Sequence, residues 1–574
     1  MDPKQNSFQR PDCSRMWCMN RWIVLLIIWG IIFTGVIFRF WKIDSIPGVN
    51  GDEAWLGWKA FQVARGAKLD WMTFSGNLTD PFYILPLIGL HKIFLPSGFL
   101  LRSVALMSGL LVLPVNFLLC RWVYGKESAW GTTLLLAVLP VNIVYSRFGW
   151  EPSQSVLFSL PPLYLALLLG GGKIRPVLGI LLFGISLVAA FLVHPTNFFL
   201  AAFGVTALAG MVIHPESSLR RFLGCAGLLS IGLTVLGLLA ILRSPAEVHD
   251  EILTRVCGFG WMHDVDRFVL VVVRFFNGLN SLAFIPGSWR ESGSILEIDK
   301  ELWVGWPDWL GIALGLVALT VIAGSVSFAS RRCIGLSSGL GHKRSDLILL
   351  LGFIGSLVLF DILNGPAKLA VWFDRYGLWM VAPGVLLLTR AAVLLREAIP
   401  SMRSGIRVGG VAICILFLSE SWLGYFQYAL VTGGTSGMDA RIGLEDIKHE
   451  AARLLVKEGK LLGVKCPVLV SSDWFVYWPM LYFLRRESGW EKWESVREDI
   501  YPRSFPVAPS GWNIAEAVSQ RRVVFAEYSG SSAWSIWNPL IRDSGVAYET
   551  YEFQDITGRP VLKVRYPVSV ASNQ

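Results

Sequence analysis

Apolar residues in this chain neither alternate nor keep to one helical face; they run on. A helix needs about 20 mostly apolar residues to cross the hydrocarbon core of a bilayer. Runs of that kind lie near 22–40, 99–120, 128–145, 153–169, 176–193, 196–213, 221–242, 306–328, 346–363, 376–395 and 407–428. The pattern therefore predicts about eleven transmembrane helices. The first run is too long for a signal-peptide core and has no small-residue cleavage site, so it is expected to stay as an anchor. From about residue 430 the pattern changes. β-type runs at 467–471, 523–528, 548–553 and 561–566 alternate with helical periodicity at 444–458 and 533–543. A tail of about 140 residues is long enough for its own core. The fold class expected is a polytopic α-helical membrane protein with a C-terminal soluble α/β domain. Residues 1–429 form the transmembrane domain, with outer loops 41–98 and 243–305, and residues 430–574 form the second domain.

Composition excludes other classes. Charged residues make up 16% and hydrophobic ones 53%, whereas a soluble domain carries about a quarter charged residues. The 25 Trp suit the membrane–water interface. The net charge of +9 points to cytoplasmic loops beside anionic lipid and away from nucleic acid. With the N-terminus inside, each inner loop carries basic residues: Arg121 and Lys126, Lys173 and Arg175, Arg220 and Arg221, Arg331, Arg332, Lys343 and Arg344, then Arg390, Arg396, Arg403 and Arg407. An odd number of spans then places the C-terminus outside. The expected location is a bacterial cytoplasmic (inner) membrane, multi-pass, with the tail on the periplasmic or outer side. The eight cysteines show no CxxC or Cys/His ligand spacing. Cys257 and Cys466 fall in outer segments, where a bridge is one open reading. No internal repeat or inverted half-similarity is evident, which weakens a transporter reading.

Ionisable residues collect at the outer helix mouths. Asp52 follows a Pro-Gly-Val-Asn-Gly turn (47–51) and precedes Trp55, Trp58 and Phe61 at helical spacing, so residues 53–65 are expected to lie flat on the membrane. There Asp52 is either an N-cap or a catalytic acid/base, and one residue can do both. Glu151, in Ser-Arg-Phe-Gly-Trp-Glu-Pro (146–152), sits at the mouth of a span, where a helix-dipole role is the plain alternative. His194 opens His-Pro-Thr, and Lys368, Arg375 and Tyr376 precede a late span. Under one topology Asp52, Glu53, Glu151, His194, Lys368 and Arg375 share the outer face, which suits a substrate with an anionic head and a lipid tail.

The order of these motifs carries a resemblance. Pro-Gly-x-x-x-Asp-Glu-Ala after one N-terminal span, Ser-Arg-Phe-Gly-x-Glu-Pro after the third, His-Pro-Thr after the fifth and Arg-Tyr at a late span together resemble the protein O-mannosyltransferase and aminoarabinose transferase group of the GT-C superfamily. The likeness spans roughly residues 20–395. It implies a GT-C-like catalytic membrane domain, and an enzyme that moves a sugar from a polyprenyl-phosphate carrier to a lipid, glycan or protein acceptor outside the membrane. By the same likeness Asp52 is the general base and Glu151 the second acid, with Glu53 beside them. Arg147, His194, Lys368, Arg375 and Tyr376 then lie near the donor phosphate. Such a leaving group needs its charge screened, not a strong proton donor. One base and no enzyme nucleophile imply inversion. Asp52 and Glu151 can also share a divalent metal ion, since hard cations prefer carboxylate oxygen. A lipid-linked glycan polymerase or ligase, or a lipid-linked sugar transporter, are the rival readings. Thr79-Asp80-Pro81 stands where aminoarabinose transferases typically have Glu-Lys-Pro, so neither aminoarabinose nor lipid A follows from the likeness.

Overall fold

A computed structural model describes residues 13–73, 78–213, 218–241, 313–324, 340–364, 374–427, 429–430, 446–461, 468–471, 473–487, 514–556 and 558–568, with single positions between 269 and 276. Lys368, Cys257 and Cys466, and nearly all of the loop 243–305, lie outside the described residues. The chain is mostly helical. Among the described residues, seven helices are long and apolar enough to cross a membrane: Gly98–Tyr124, Glu151–Gly170, Pro176–Val193, Pro195–Ile213, His342–Leu363, Arg375–Ala398 and Pro400–Gln427. Their outward faces expose large apolar side chains such as Leu118, Trp122, Leu181, Ile185, Val188 and Ile415. Rows of this kind have no favourable partner in water and suit lipid.

The order begins with α1 (Cys13–Phe40), α2 (Gly51–Ala64), α3 (Pro81–His91), α4 (Gly98–Tyr124), α5 (Lys126–Val138) and α6 (Pro140–Tyr145). The third apolar run, expected as one helix over 128–145, is thus two. Pro140 has no N–H to return to the carbonyl of Leu136, so the ladder breaks at Leu139, whose backbone is extended. The freed carbonyls find partners elsewhere. Arg39 donates to Ala137 at 2.7 Å and to Leu136 at 3.0 Å, and Asn142 donates to Leu136 at 2.7 Å. A Cβ at Gly35 would stand 2.3 Å from the Ala137 oxygen, so glycine there permits the close approach of α1.

Among the described residues of the tail, four strands form one sheet: β1 (Val468–Val470), β2 (Val523–Tyr528), β3 (Tyr548–Gln554) and β4 (Pro560–Pro567), in the order β1-β2-β4-β3. β1 and β2 are parallel, and the other pairs antiparallel, with Phe525 opposite Arg565 and Tyr551 opposite Val564. β2 is buried on both faces. Val523 and Phe525 pack with Trp534 and Trp537, while Val524, Ala526 and Tyr528 join the opposite core, the period of two that a strand imposes. That second core also contains Val49, Ala54 and Trp58 from the segment between α1 and α3, and Leu101 from α4.

Residues 53–64 lie in a helix that is covered by protein. α2 is buried along Glu53, Ala54, Leu56, Gly57, Trp58, Ala60 and Phe61, between the bundle and the tail helix Trp474–Leu484. The aromatics that suggested an interfacial helix are packing residues. Trp58 stacks beneath the Arg485 guanidinium at 4.4 Å, and Tyr482 bonds the backbone of Ser97.

Candidate functional site

The site is built on the N-terminal turn of α2. Asn50, not Asp52, is its N-cap: the Asn50 side chain accepts the Glu53 N–H at 2.9 Å, and the Glu53 carboxylate accepts the Asn50 N–H at 3.1 Å. This reciprocal box satisfies the orphan donors of the first turn. Asp52, one position past the helix's first residue, has no capping duty.

Glu53 is a structural residue, which corrects its assignment to catalysis. Its side chain is 0% exposed and paired with Arg102, whose Nε and Nη2 donate at 3.1 and 3.0 Å. The N–H of Gly149 completes the set. Arg102 also donates to the carbonyls of Ile43, Pro47 and Gly48. A carboxylate so saturated has no lone pair left for an acceptor hydroxyl. Arg147 is corrected for the same reason. It is wholly buried, and its guanidinium donates to the carbonyls of Phe38, Arg39, Trp41 and Ile46. These are the orphan acceptors at the end of α1 and the turn beyond it, so Arg147 holds the chain and not a phosphate.

Asp52 differs. Its side chain keeps 40% of its surface exposed. Oδ1 accepts the indole N–H of Trp474 at 3.1 Å, and Oδ2 faces Arg375 Nη1 at 4.0 Å. Burial raises its carboxyl above the ordinary range, while Arg375 and the indole N–H groups of Trp474 and Trp150 oppose the rise. Arg375 lies over the rings of Trp150 at 4.8 Å and Tyr376 at 5.2 Å, and is 3.5 Å from the Tyr376 hydroxyl. The Tyr376 ring is 5.5 Å from that of His194. His194 accepts the Thr196 N–H as a helix cap, and its Nδ1 is 2.7 Å from the Thr196 hydroxyl. Burial, then the Arg375 cation, push its imidazole down to about 3. It is therefore neutral and offers hydrogen bonding, not charge.

Glu151 opens a short 3-10 turn (Glu151–Gln154) and accepts the backbone N–H of Asp80 at 3.3 Å. Asp80 caps α3 through Phe82 N–H at 2.8 Å, while its Oδ2 is buried without a hydrogen-bond partner. Burial and the neighbouring Glu151 charge push its carboxyl well above the usual range, against the pull of that cap bond. Lys59 of α2 reaches the Met72 carbonyl at 2.9 Å and the Thr79 hydroxyl at 3.3 Å, a cation beside the same acids.

The structure thus brings together Asp52, Glu151, His194, Arg375 and Tyr376 from four separate segments. It adds Trp474, Trp150, Asp80 and Lys59. Asp80 had a local signal, an acid before Pro at a helix start; Trp474 stood out only as part of an aromatic-rich stretch, and nothing linked it to Asp52, 422 positions away. Among the described residues no three His, Cys, Asp or Glu side chains are grouped to hold a metal ion.

No family model matches the chain, and no curated protein does. Among solved structures it is similar to ArnT from Cupriavidus metallidurans bound to undecaprenyl phosphate, at 15% identity and a TM-score of 0.50, over 96% of this chain and 98% of that one. It is also similar to the archaeal oligosaccharyltransferase AglB from Archaeoglobus fulgidus in complex with an inhibitory peptide and a dolichol-phosphate, at 12% identity and a TM-score of 0.47, over 97% of this chain and 75% of that one. At such identity the ArnT likeness is one of fold, and it runs the length of both chains.

Proposed function

We propose that the chain is a membrane glycosyltransferase that moves a sugar from a polyprenyl-phosphate carrier to an acceptor on the outer face of a cytoplasmic membrane, with Asp52 as general base. The observation that carries this reading is the pairing at Asp52. A half-exposed carboxylate stands beside Arg375 at the end of an apolar helix, with Tyr376 next to the guanidinium and His194 next to Tyr376. One group can take a proton and the next can hold an anion, a few ångströms apart. The undecaprenyl phosphate bound by the ArnT of like fold supports a lipid-linked donor.

The chemistry follows from the charges. The acceptor oxygen or nitrogen attacks the anomeric carbon while its proton passes to Asp52. The bond from that carbon to the phosphate oxygen breaks, and polyprenyl phosphate leaves with the electron pair. Arg375 screens the charge gathering on the phosphate, and Tyr376 and neutral His194 supply hydrogen bonds. One displacement without an enzyme nucleophile inverts the anomeric centre. Glu151 lies on the acceptor side and orients the incoming group. About eleven spans carry this site in residues 1–429, and residues 430–574 lie outside in the same compartment.

The test is reconstitution in liposomes with undecaprenyl-phosphate-linked sugars and candidate acceptors, following release of undecaprenyl phosphate. Release dependent on Asp52 is expected. Movement of intact donor between leaflets without release would replace the enzyme by a transporter. Reporter fusions after Lys343 and at the C-terminus should report opposite sides of the membrane; a shared side would overturn the topology.

A further inference from the structure

Trp474 is the one described side chain of the tail that bonds Asp52, and two independent features hold it there. Its indole lies against the first turn of α2: a Cβ at Gly51 would stand 2.0 Å from Trp474 Cδ1 and 2.7 Å from its carbonyl oxygen, so only glycine admits the ring. The tail is also fastened to the same loop on both sides of the site. Asp446 Oδ2 accepts the Val49 N–H at 2.6 Å, Lys448 Nζ donates to the Val49 carbonyl, and the Tyr482 hydroxyl bonds Ser97. Asp473 caps the helix through Phe475 N–H at 2.8 Å, and Trp478 packs edge-on to Trp474 at 5.5 Å. The indole is aimed, not merely adjacent.

A carboxylate has two equivalent oxygens and a soft terminal torsion. A donor fixed on Oδ1 removes that freedom and leaves Oδ2, on the Arg375 side, to meet the acceptor. An indole N–H donates and cannot accept, so Trp474 cannot itself take the proton. We propose that Trp474 is a positioning residue for the base, and that docking of the tail onto the first outer loop completes the catalytic site. This rests on Asp52 being the base. The other groups facing Asp52 are Arg375 from the late span, Glu53 from its own helix, and Trp150 and Glu151 from the turn after α6.

The experiment compares Trp474→Phe, which keeps a ring and loses the N–H, with Trp474→His, which restores a donor on a small ring, in the full chain in detergent. Both are first passed through size exclusion so that only folded protein is read. The probe is dicyclohexylcarbodiimide, which labels protonated carboxyl groups; labelling of the peptide containing Asp52 is followed by mass spectrometry against pH. A hydrogen bond to the carboxylate favours the charged form. Its loss in Trp474→Phe should therefore let labelling persist to higher pH, with Trp474→His lying nearer wild type. The turnover number for release of undecaprenyl phosphate should fall about tenfold in Trp474→Phe, with binding of undecaprenyl phosphate unchanged. An unshifted labelling profile, or equal behaviour of the Phe and His variants, would overturn the role of Trp474 while leaving the base intact. A shifted profile together with an active Asp52→Asn enzyme would instead overturn the base reading, and the positioning role with it.

Discussion

Asp52 and Glu53 are neighbours on one helix turn, chemically alike, and about 100° apart around its axis. Their surroundings could hardly differ more. Glu53 has lost all contact with water and is bonded by Arg102, Asn50 N–H and Gly149 N–H. Asp52 keeps 40% of its surface and has one firm donor, Trp474, with Arg375 at 4.0 Å. The two arginines on the same face repeat the contrast. Arg147 is consumed by backbone carbonyls, whereas Arg375 lies between Asp52 and the rings of Trp150 and Tyr376. Removing a charge from water costs several kcal/mol unless it is paired and hydrogen-bonded, and the buried members are each held by four bonds, Glu53 as acceptor and Arg147 through its two terminal nitrogens. Chemistry is left to groups whose partners do not exhaust them. Burial alone is thus a poor guide to function here; spare bonding capacity at a helix mouth is the better one.

The largest effect should come from breaking the saturated half. Arg102→Met leaves Glu53 buried and unpaired, a loss of about 3–5 kcal/mol by analogy with broken buried pairs. Thermal unfolding in detergent should show a severe drop or no folded protein; a stable variant would show that the pair is not the frame of the outer loop. Next is Asp52→Asn. Since Asn50 and not Asp52 caps α2, capping offers no alternative explanation for a loss. Turnover should fall about 10²–10⁴-fold, with unfolding temperature and undecaprenyl phosphate binding near wild type. Near-normal turnover would end the general-base assignment.

Arg375→Gln comes third. It should weaken undecaprenyl phosphate binding by about tenfold or more, the worth of a charge-assisted bond. It also removes the cation that favours ionised Asp52. Losing a cation raises a carboxyl's pKa, so more of the base is protonated at a given pH. The acidic limb of the activity profile, already above the ordinary carboxylate range, should move further up. A limb that stays in place would separate Arg375 from Asp52. The smallest change expected is Glu151→Gln, about tenfold or less in turnover, because the amide oxygen can still accept the Asp80 N–H. A loss as deep as that of Asp52→Asn would exchange the roles of the two acids.

Several of these residues could be read before any fold was known. Topology placed Asp52, Glu53, Glu151, His194, Lys368 and Arg375 on one expected face, and the structure brings Asp52, Glu151, His194 and Arg375 together with Tyr376. Glu53 and Arg147 carried the same local signals and proved structural. Nothing along the chain distinguishes an acid facing a saturating arginine from one facing an indole, because those partners, Arg102 and Trp474, are 49 and 422 positions away.

What the sequence by itself determined is what depends on local pattern: membrane-length apolar helices and the strand periodicity of the tail. Tertiary structure alone decided which charges are free. A helix buries a residue only in relation to what packs against it, and α2 became internal because the tail covers it. The electrostatic character of Asp52 likewise depends on donors brought from the two ends of a long chain, and distance along a sequence carries no information about that meeting.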